Sequence, residues 1–234
     1  MPNIFNSRPT DQDESHWLSV SDLMAGLMVV FLFIAIALMR NAMIERNQIK
    51  DVAIAYQENQ LAIYNALIDE FDKDLERWDA TIDQDSLTFV FNSPDILFKT
   101  GEIQLNAQYK VLLKDFFPRY MDVLTPFKMS ISEVRIEGHT SSIWNSYTSD
   151  TNAYFFNMKL SQGRTRSVLE YIYDLDKVAT HKEWINRHIA AVGFSSSRKI
   201  VDRKGDEDRD RSRRVSFRVI TNADIKIKQI LESK

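Results

Sequence analysis

The longest apolar run in the chain is Trp17 to Met39, WLSVSDLMAGLMVVFLFIAIALM, in which Asp22 is the single ionisable side chain between Glu14 with His16 on one side and Arg40 on the other. A bilayer's hydrocarbon core is about 30 Å thick and needs roughly 20 apolar residues of helix, whereas Leu23 to Met39 alone gives about 25 Å. The shortfall draws Trp17, Leu18 and Val20 into the membrane, and Asp22 with them. An ionised carboxylate in hydrocarbon is costly, so it normally faces a protein interior or a water-filled path and marks an ion or proton route. Alternatively, Ser19, Ser21 and Asp22 cap a helix that starts at the headgroups, where a carboxylate suits the positive helix end. The pattern leaves both readings open.

Beyond Arg40 the apolar positions keep helical spacing: Met43, Ile49, Val52, Tyr56, Ile63, Leu67, Phe71, Leu75 and Trp78, with no Gly or Pro to interrupt them. This predicts a helical stalk over residues 40–82 whose stripe must be covered. A second copy in a coiled coil is the favoured cover, because a path-lining Asp needs neighbours to enclose it; packing on the chain's own domain is the other.

A folded domain over residues 83–222 follows, with a short tail at 223–234. Leu87 to Phe91 reads as a strand ended by the turn signal Asn92-Ser93-Pro94. Ile103 to Leu124 is helical, bounded by Gly101 and Pro126. Ile131 to Ile136 alternates as a strand, and Asn152 to Leu175 is helical with Tyr154, Phe155, Met158, Val168, Leu169, Ile172 and Leu175 on its apolar side. Ile189 to Phe194 and Val215 to Ile220 read as further strands, the last behind a charged loop from Arg198 to Arg214. Strands alternating with helices imply an α/β sandwich, so the fold class is α/β: one transmembrane helix, a stalk and a sandwich.

Composition narrows the chemistry. A net charge of −3 argues against a nucleic-acid binder, which needs surplus positive charge. The loop containing KGDEDRDRSRR mixes both signs and reads as a solvated loop. Zero cysteines exclude disulfides, thiolate metal sites and cysteine nucleophiles. Four histidines, at 16, 139, 181 and 188, lack metal-ligand spacing, and no G-x-S-x-G occurs, so no catalytic residues, metal or cofactor are expected and the chain is not read as an enzyme. Residues 1–16 form a polar tail without the features of a cleaved secretory leader, so the span is expected to stay as an anchor. Arg40, Arg46 and Lys50 follow the span while only Arg8 and the amino terminus precede it, a count mildly favouring a cytoplasmic C-terminus.

Several separated motifs then carry a resemblance. Phe98 and Gly101 in LFKTGEIQL, Gly138-His139-Thr140, Asn157-x-x-Leu160-Ser161-x-x-Arg164, Gly193 and Arg213-Arg214-Val215 occur in an order that resembles the OmpA-like peptidoglycan-binding domain over Leu87 to Thr221. Behind a span that opens WLSVSDLM, the arrangement is similar to the flagellar stator B subunit (MotB-like) family. Within it, the SDLMAGLMVVFLF wording and the long loop after GHT look most like the B subunits (ZorB) of Zorya anti-phage defence systems.

The resemblance implies roles position by position. Asp22 corresponds to the aspartate that carries a proton or sodium ion while surrounding MotA-like A subunits (ZorA) rotate; one charge crossing 100 mV yields about 2.3 kcal/mol. His139, Thr140, Asn157, Leu160, Arg164 and Arg214 map to the wall-binding pocket, with Phe156 lining it, and Arg164 takes a stem-peptide carboxylate by a charge-assisted fork. A homodimer inside a ring of five A subunits, seated in the cell inner membrane, is the implied assembly. A flagellar-type stator subunit and a static membrane-to-wall tether are the alternatives. A peptidoglycan binder has no ligand in the cytoplasm, and a long C-terminal domain translocates regardless of flanking charge, so the implied orientation is N-terminus cytoplasmic and Leu87 to Lys234 periplasmic, against the charge count. One position departs from the pattern: the acidic residue usual after GHT, which meets the diaminopimelate amine, is Ser141, and the loop to Asn157 is longer than usual. Asp150 or a carbonyl within Ser142 to Thr151 is the expected replacement acceptor.

Overall fold

The computed structural model describes residues 11–92 and 97–222, with side chains described from residue 20 onward. The expected turn at Ser93-Pro94 and both terminal tails lie outside the described residues, apart from residues 11–16. Two compact units emerge, residues 1–52 and 53–234. Helix α1 (Asp11–Leu75) supplies residues to both.

In the first unit, every side chain from Val20 to Ile44 is exposed, apolar ones included. One helix among the described residues is long and apolar enough to cross a membrane, with a mean hydropathy of 2.5 in its best window. Val20 to Met39 alone spans about 30 Å. Helix α1 begins at Asp11, which puts Asp22 about three turns inside it and rules out Asp22 as the helix cap.

The second unit is built on a five-stranded sheet in the order β1-β2-β5-β3-β4. Its strands are β1 (Ala80–Asp83), β2 (Thr88–Phe91), β3 (Ile131–His139), β4 (Ile189–Gly193) and β5 (Arg214–Thr221). All neighbours are antiparallel except β3 and β4. Helix α2 (Ala107–Leu124) starts at an N-cap, Asn106, whose side chain accepts from the Tyr109 N–H, so it begins later than the apolar pattern from Ile103 predicted. Helices α3 (Asp150–Tyr173), α4 (Lys182–His188) and α5 (Arg209–Ser212) complete the unit. Strand β1 was not visible as a strand: ATID is short and pairs at the sheet edge, where hairpin pairing with β2 rather than local pattern forms it.

The core between sheet and helices is aromatic. Phe116 of α2 lies 4.7–5.3 Å, centroid to centroid, from Phe71, Phe89, Phe91, Tyr120 and Phe217. Each ring buries a large apolar area in offset or edge-on geometry, which is what holds this unit together. Phe71 belongs to the stretch expected to be a stalk. Ile63, Leu67 and Phe71 are fully buried in this core, and Asn59 and Gln60 hydrogen-bond to Ser130 and to the carbonyls of Gln84 and Asp85. The C-terminal part of the stripe is therefore covered by the chain's own domain and is not a seam left for a second copy. Arg119 fixes that helix end by pairing with Glu70 and Asp74.

Gly138 of β3 and Gly193 of β4 are register partners, and both face α3. A Cβ on Gly138 would meet the Ser161 carbonyl oxygen at 2.8 Å, and one on Gly193 would meet the Gln162 backbone N at 2.4 Å. The paired glycines let α3 sit directly on the strand ends. As a result the first two-thirds of α3 buries polar residues, Asn157, Ser161, Arg164 and Thr165, while Phe155 and Phe156 are exposed. The apolar side expected for α3 holds only beyond Thr165, at Val168 and Ile172.

Candidate functional site

The buried polar face of α3 meets the ends of β3 and β4. After His139 the chain leaves β3; the Thr140 N–H donates to the Ser195 carbonyl (2.9 Å), and the Phe194 N–H to the Gly138 carbonyl (2.8 Å). Ser195 is fully buried with φ +50°, a left-handed conformation that costs a non-glycine residue energy. Three hydrogen bonds hold it there: the Thr140 N–H to its carbonyl, its N–H to Ser161 Oγ (3.1 Å) and its Oγ to the Tyr154 carbonyl (2.7 Å). The turn is thereby locked to α3.

On this scaffold lies a cavity of about 440 Å³. Thr140, Ser141, Asn157, Leu160 and Arg164 line one side, Phe98, Thr100 and Gly101 another, Ile143 and Trp144 the rim, and Arg209 and Arg213 the wall contributed by the β4–β5 connection. Asn157 is held by donation from its Nδ2 to the Ser141 carbonyl (3.1 Å). Arg164 is buried yet aligned: Nε donates to the Glu102 carbonyl (2.9 Å), a terminal nitrogen to the Lys99 carbonyl (3.2 Å), and the guanidinium lies 4.8 Å over the Phe98 ring. These contacts fix the direction of the guanidinium.

Of the residues singled out from the sequence, Thr140, Asn157, Leu160 and Arg164 share this cavity. His139 and Arg214 line a separate small pocket, which Arg164 lines as well. Phe156 does not line the cavity; its ring packs 5.4 Å from Trp144, which does. Asp150, considered as a replacement acceptor, is exposed in the first turn of α3 and does not line the cavity. The carboxylate that reaches this loop is Glu207, which accepts from the Ser142 N–H (2.8 Å) and hydroxyl and ties the loop after GHT to the β4–β5 connection. Among the described residues no carboxylate lines the cavity.

Beneath it sits a charge cluster. His139 is buried, stacks on Phe194 at 5.3 Å and places Nε2 3.4 Å from Glu137 Oε2. Arg198 lies over the Phe194 ring, 3.6 Å from its centroid, and 3.3 Å from both Glu137 oxygens. Burial pushes the His139 pKa below its ordinary value, and Arg214 and Arg198 add to that against the opposing pull of Glu137. Burial pushes Glu137 up, but the hydrogen bond and charge of His139, with Arg198 and Arg218, more than reverse it. A hydrogen bond from His139 Nε2 to an ionised Glu137 accounts for the lowered Glu137, and among the described residues His139 Nδ1 has no hydrogen-bond partner.

Arg209 lies in a run of mixed charge that reads as solvated, and Arg213 entered the sequence reading only as part of the motif before the last strand, so neither was singled out as a site residue. Their spacing of four around the short helix α5 was the available signal, since it aligns two guanidinium groups on one side.

Residues 97–213, half of the chain, match the OmpA family. The Zorya protein ZorB of Escherichia coli (Crooks strain) is 54% identical over 222 residues, covering 95% of this chain and 94% of that protein. Among solved structures, a MotB-like protein from Desulfovibrio vulgaris superposes with a TM-score of 0.50 at 20% identity, over 74% of this chain and 94% of the other, a likeness of fold. The periplasmic domain of Helicobacter pylori MotB gives a TM-score of 0.44 at 15% identity, over 62% of this chain and 84% of that one. An apolar N-terminal helix with Asp22 inside it, an OmpA-family match across the cavity residues, and 54% identity along nearly the whole chain lead to one assignment: the chain belongs to the ZorB family of Zorya proteins.

Proposed function

We propose that this chain is the B subunit of an ion-driven Zorya motor complex in the cell inner membrane. In this reading Asp22 carries the ion, two copies sit inside a ring of five A subunits, and the second unit stands in the periplasm and grips peptidoglycan. The role is binding and coupling, not catalysis. What carries the wall-binding part is Arg164: a buried guanidinium, aligned by the Glu102 and Lys99 carbonyls, on the wall of a cavity it shares with Thr140 and Asn157. A carboxylate entering that cavity gains charge-assisted hydrogen bonds without requiring Arg164 to reorganise.

The position of Asp22 supports the ion-carrying part. It lies inside α1 and not at its start, among exposed apolar residues, so in a membrane it must be neutralised or enclosed by partners. The wall-binding part is tested by sedimentation of purified sacculi with the detergent-solubilised chain. Arg164→Ala is expected to lower the bound fraction about tenfold or more, since a hydrogen bond to a charged group contributes about 1.5–3 kcal/mol. Co-sedimentation at the parent's level, with an unchanged circular dichroism spectrum, would refute this site.

A further inference from the structure

We propose that His139 is an acid-release latch for the domain's grip on the wall: as a neutral ring it braces the turn that supplies Thr140 and Ser141 to the cavity, and on taking up a second proton it leaves its place and the grip is lost. The inference rests on the wall-binding reading above and adds regulation to it. His139 is 4% exposed and ends β3, directly before Thr140 and Ser141, which line the cavity. Its ring stacks on Phe194, at 5.3 Å and 14° between planes, and Phe194 directly follows β4. The ring thus joins the ends of two strands. The next residue after Phe194, Ser195, is the one held at φ +50° that accepts from the Thr140 N–H, and the Ser141 carbonyl in turn accepts from Asn157. A shift of the His139 ring therefore reaches the strained turn and the cavity side chains through named contacts.

What makes the brace sensitive to acid is its surroundings. Nε2 faces Glu137 Oε2 at 3.4 Å, while Nδ1 is buried with no hydrogen-bond partner among the described residues. In the neutral ring with its proton on Nε2, Nδ1 is a bare acceptor; a second proton makes it a buried N–H without an acceptor and gives the ring a positive charge. The charged groups around the pair are Glu137 and Arg135 from β3, Arg214 and Arg218 from β5, Arg198 from the β4–β5 connection, and Arg164 from α3, which lines the same small pocket as His139. Arg135 pairs with Glu133, and Glu137 is already shared with Arg198. A new cation there joins a cluster richer in guanidinium groups than in carboxylates, and moving the ring to solvent relieves it. Burial first, then Arg214 and Arg198, hold the ring neutral at neutral pH against the pull of Glu137, so the latch opens only below the ordinary imidazole range.

The test is sedimentation of purified sacculi with the full chain in detergent micelles at about pH 7.5 and about pH 5, each protein compared with itself at the two values. A release linked to one proton weakens binding by up to about tenfold per pH unit, so the parent is expected to bind about fivefold or more weakly at the lower pH. His139→Gln keeps a donor toward Glu137, and His139→Phe keeps a ring against Phe194; neither takes up a proton. Either variant that melts as a folded protein should bind within about twofold of itself at the two pH values, whatever its level at the higher one. A parent with equal affinity at both values, or a folded His139 variant that keeps the parent's loss, overturns the latch and leaves the wall reading intact. A parent that loses its near-ultraviolet circular dichroism at the lower pH is unfolding as a whole, which also overturns the latch. No binding by the parent at either value overturns the wall reading, and the latch with it.

Discussion

The close approach of α3 to the strand ends makes Gly193 the most informative position to perturb. An alanine there would put its Cβ 2.4 Å from the backbone N of Gln162 and 2.6 Å from Ser161 Oγ, where ordinary contact begins near 3.4 Å. The obstructing atom is backbone, so it cannot swing aside, and α3 must retreat by about 1 Å. Overpacking of this kind costs about 1–3 kcal/mol, and the Ser195-to-Ser161 hydrogen bond lost with it about 1 kcal/mol more. The sum, about 2–4 kcal/mol, lowers the melting temperature of a unit this size by roughly 4–16 °C. Because Asn157 and Arg164 ride on the displaced helix, sacculus binding should fall together with stability. Gly163→Ala is the matched control: its Cβ meets only the half-exposed Ile103 side chain, at 2.7 Å, which can move. A glycine-to-alanine change within a helix also gains about 1 kcal/mol of propensity, so this variant should melt within about 1 kcal/mol of the parent. The assay is differential scanning fluorimetry of the solubilised chain, paired with sacculus sedimentation. A Gly193→Ala protein that melts and binds like the parent would refute the argument that the paired glycines set the site.

Asp22→Asn is expected to abolish anti-phage protection while leaving membrane insertion and co-purification with A subunits unchanged; full protection would sink ion coupling and leave the static tether. Acid should destabilise the second unit in two stages. With the folded His139 value depressed, the unfolded chain takes up a proton below about pH 6.5 that the folded state refuses, so stability is full above that pH and falls below it. Glu137, held low, adds stability that is present above about pH 4.5 and is lost as pH drops through its folded value. His139→Gln should remove the first stage, and melting curves from pH 7.5 to 4 that overlay those of the parent would contradict this. A fragment of residues 53–234 should be monomeric by light scattering at micromolar concentration, because Ile63, Leu67 and Phe71 are already covered; a dimer would mean that another face pairs.

Local pattern determined much of this chain by itself. An apolar run long enough to span a bilayer is set by residue count, and strands β2 to β5 and helices α2 and α3 follow from short-range periodicity and from caps and breakers adjacent in sequence. The motif residues Thr140, Asn157, Leu160 and Arg164 were likewise legible, because their spacing carries a family resemblance. Which surface covers the stripe from Ile63 to Trp78 was not legible, since an apolar stripe records only that something must cover it, and a coiled-coil partner and the chain's own sheet satisfy it equally. Nor was the inversion of α3, where Asn157, Ser161 and Arg164 are buried and Phe155 is exposed: two glycines distant in sequence pair across β3 and β4 and admit the helix backbone, and only that contact makes a polar face the inner one. Arg209 and Arg213 show the same limit. In the sequence they sit in a run of mixed charge, and they line the cavity because the loop tied by Glu207 to Ser142 brings them to it, a juxtaposition made by long-range hydrogen bonds that no local pattern encodes.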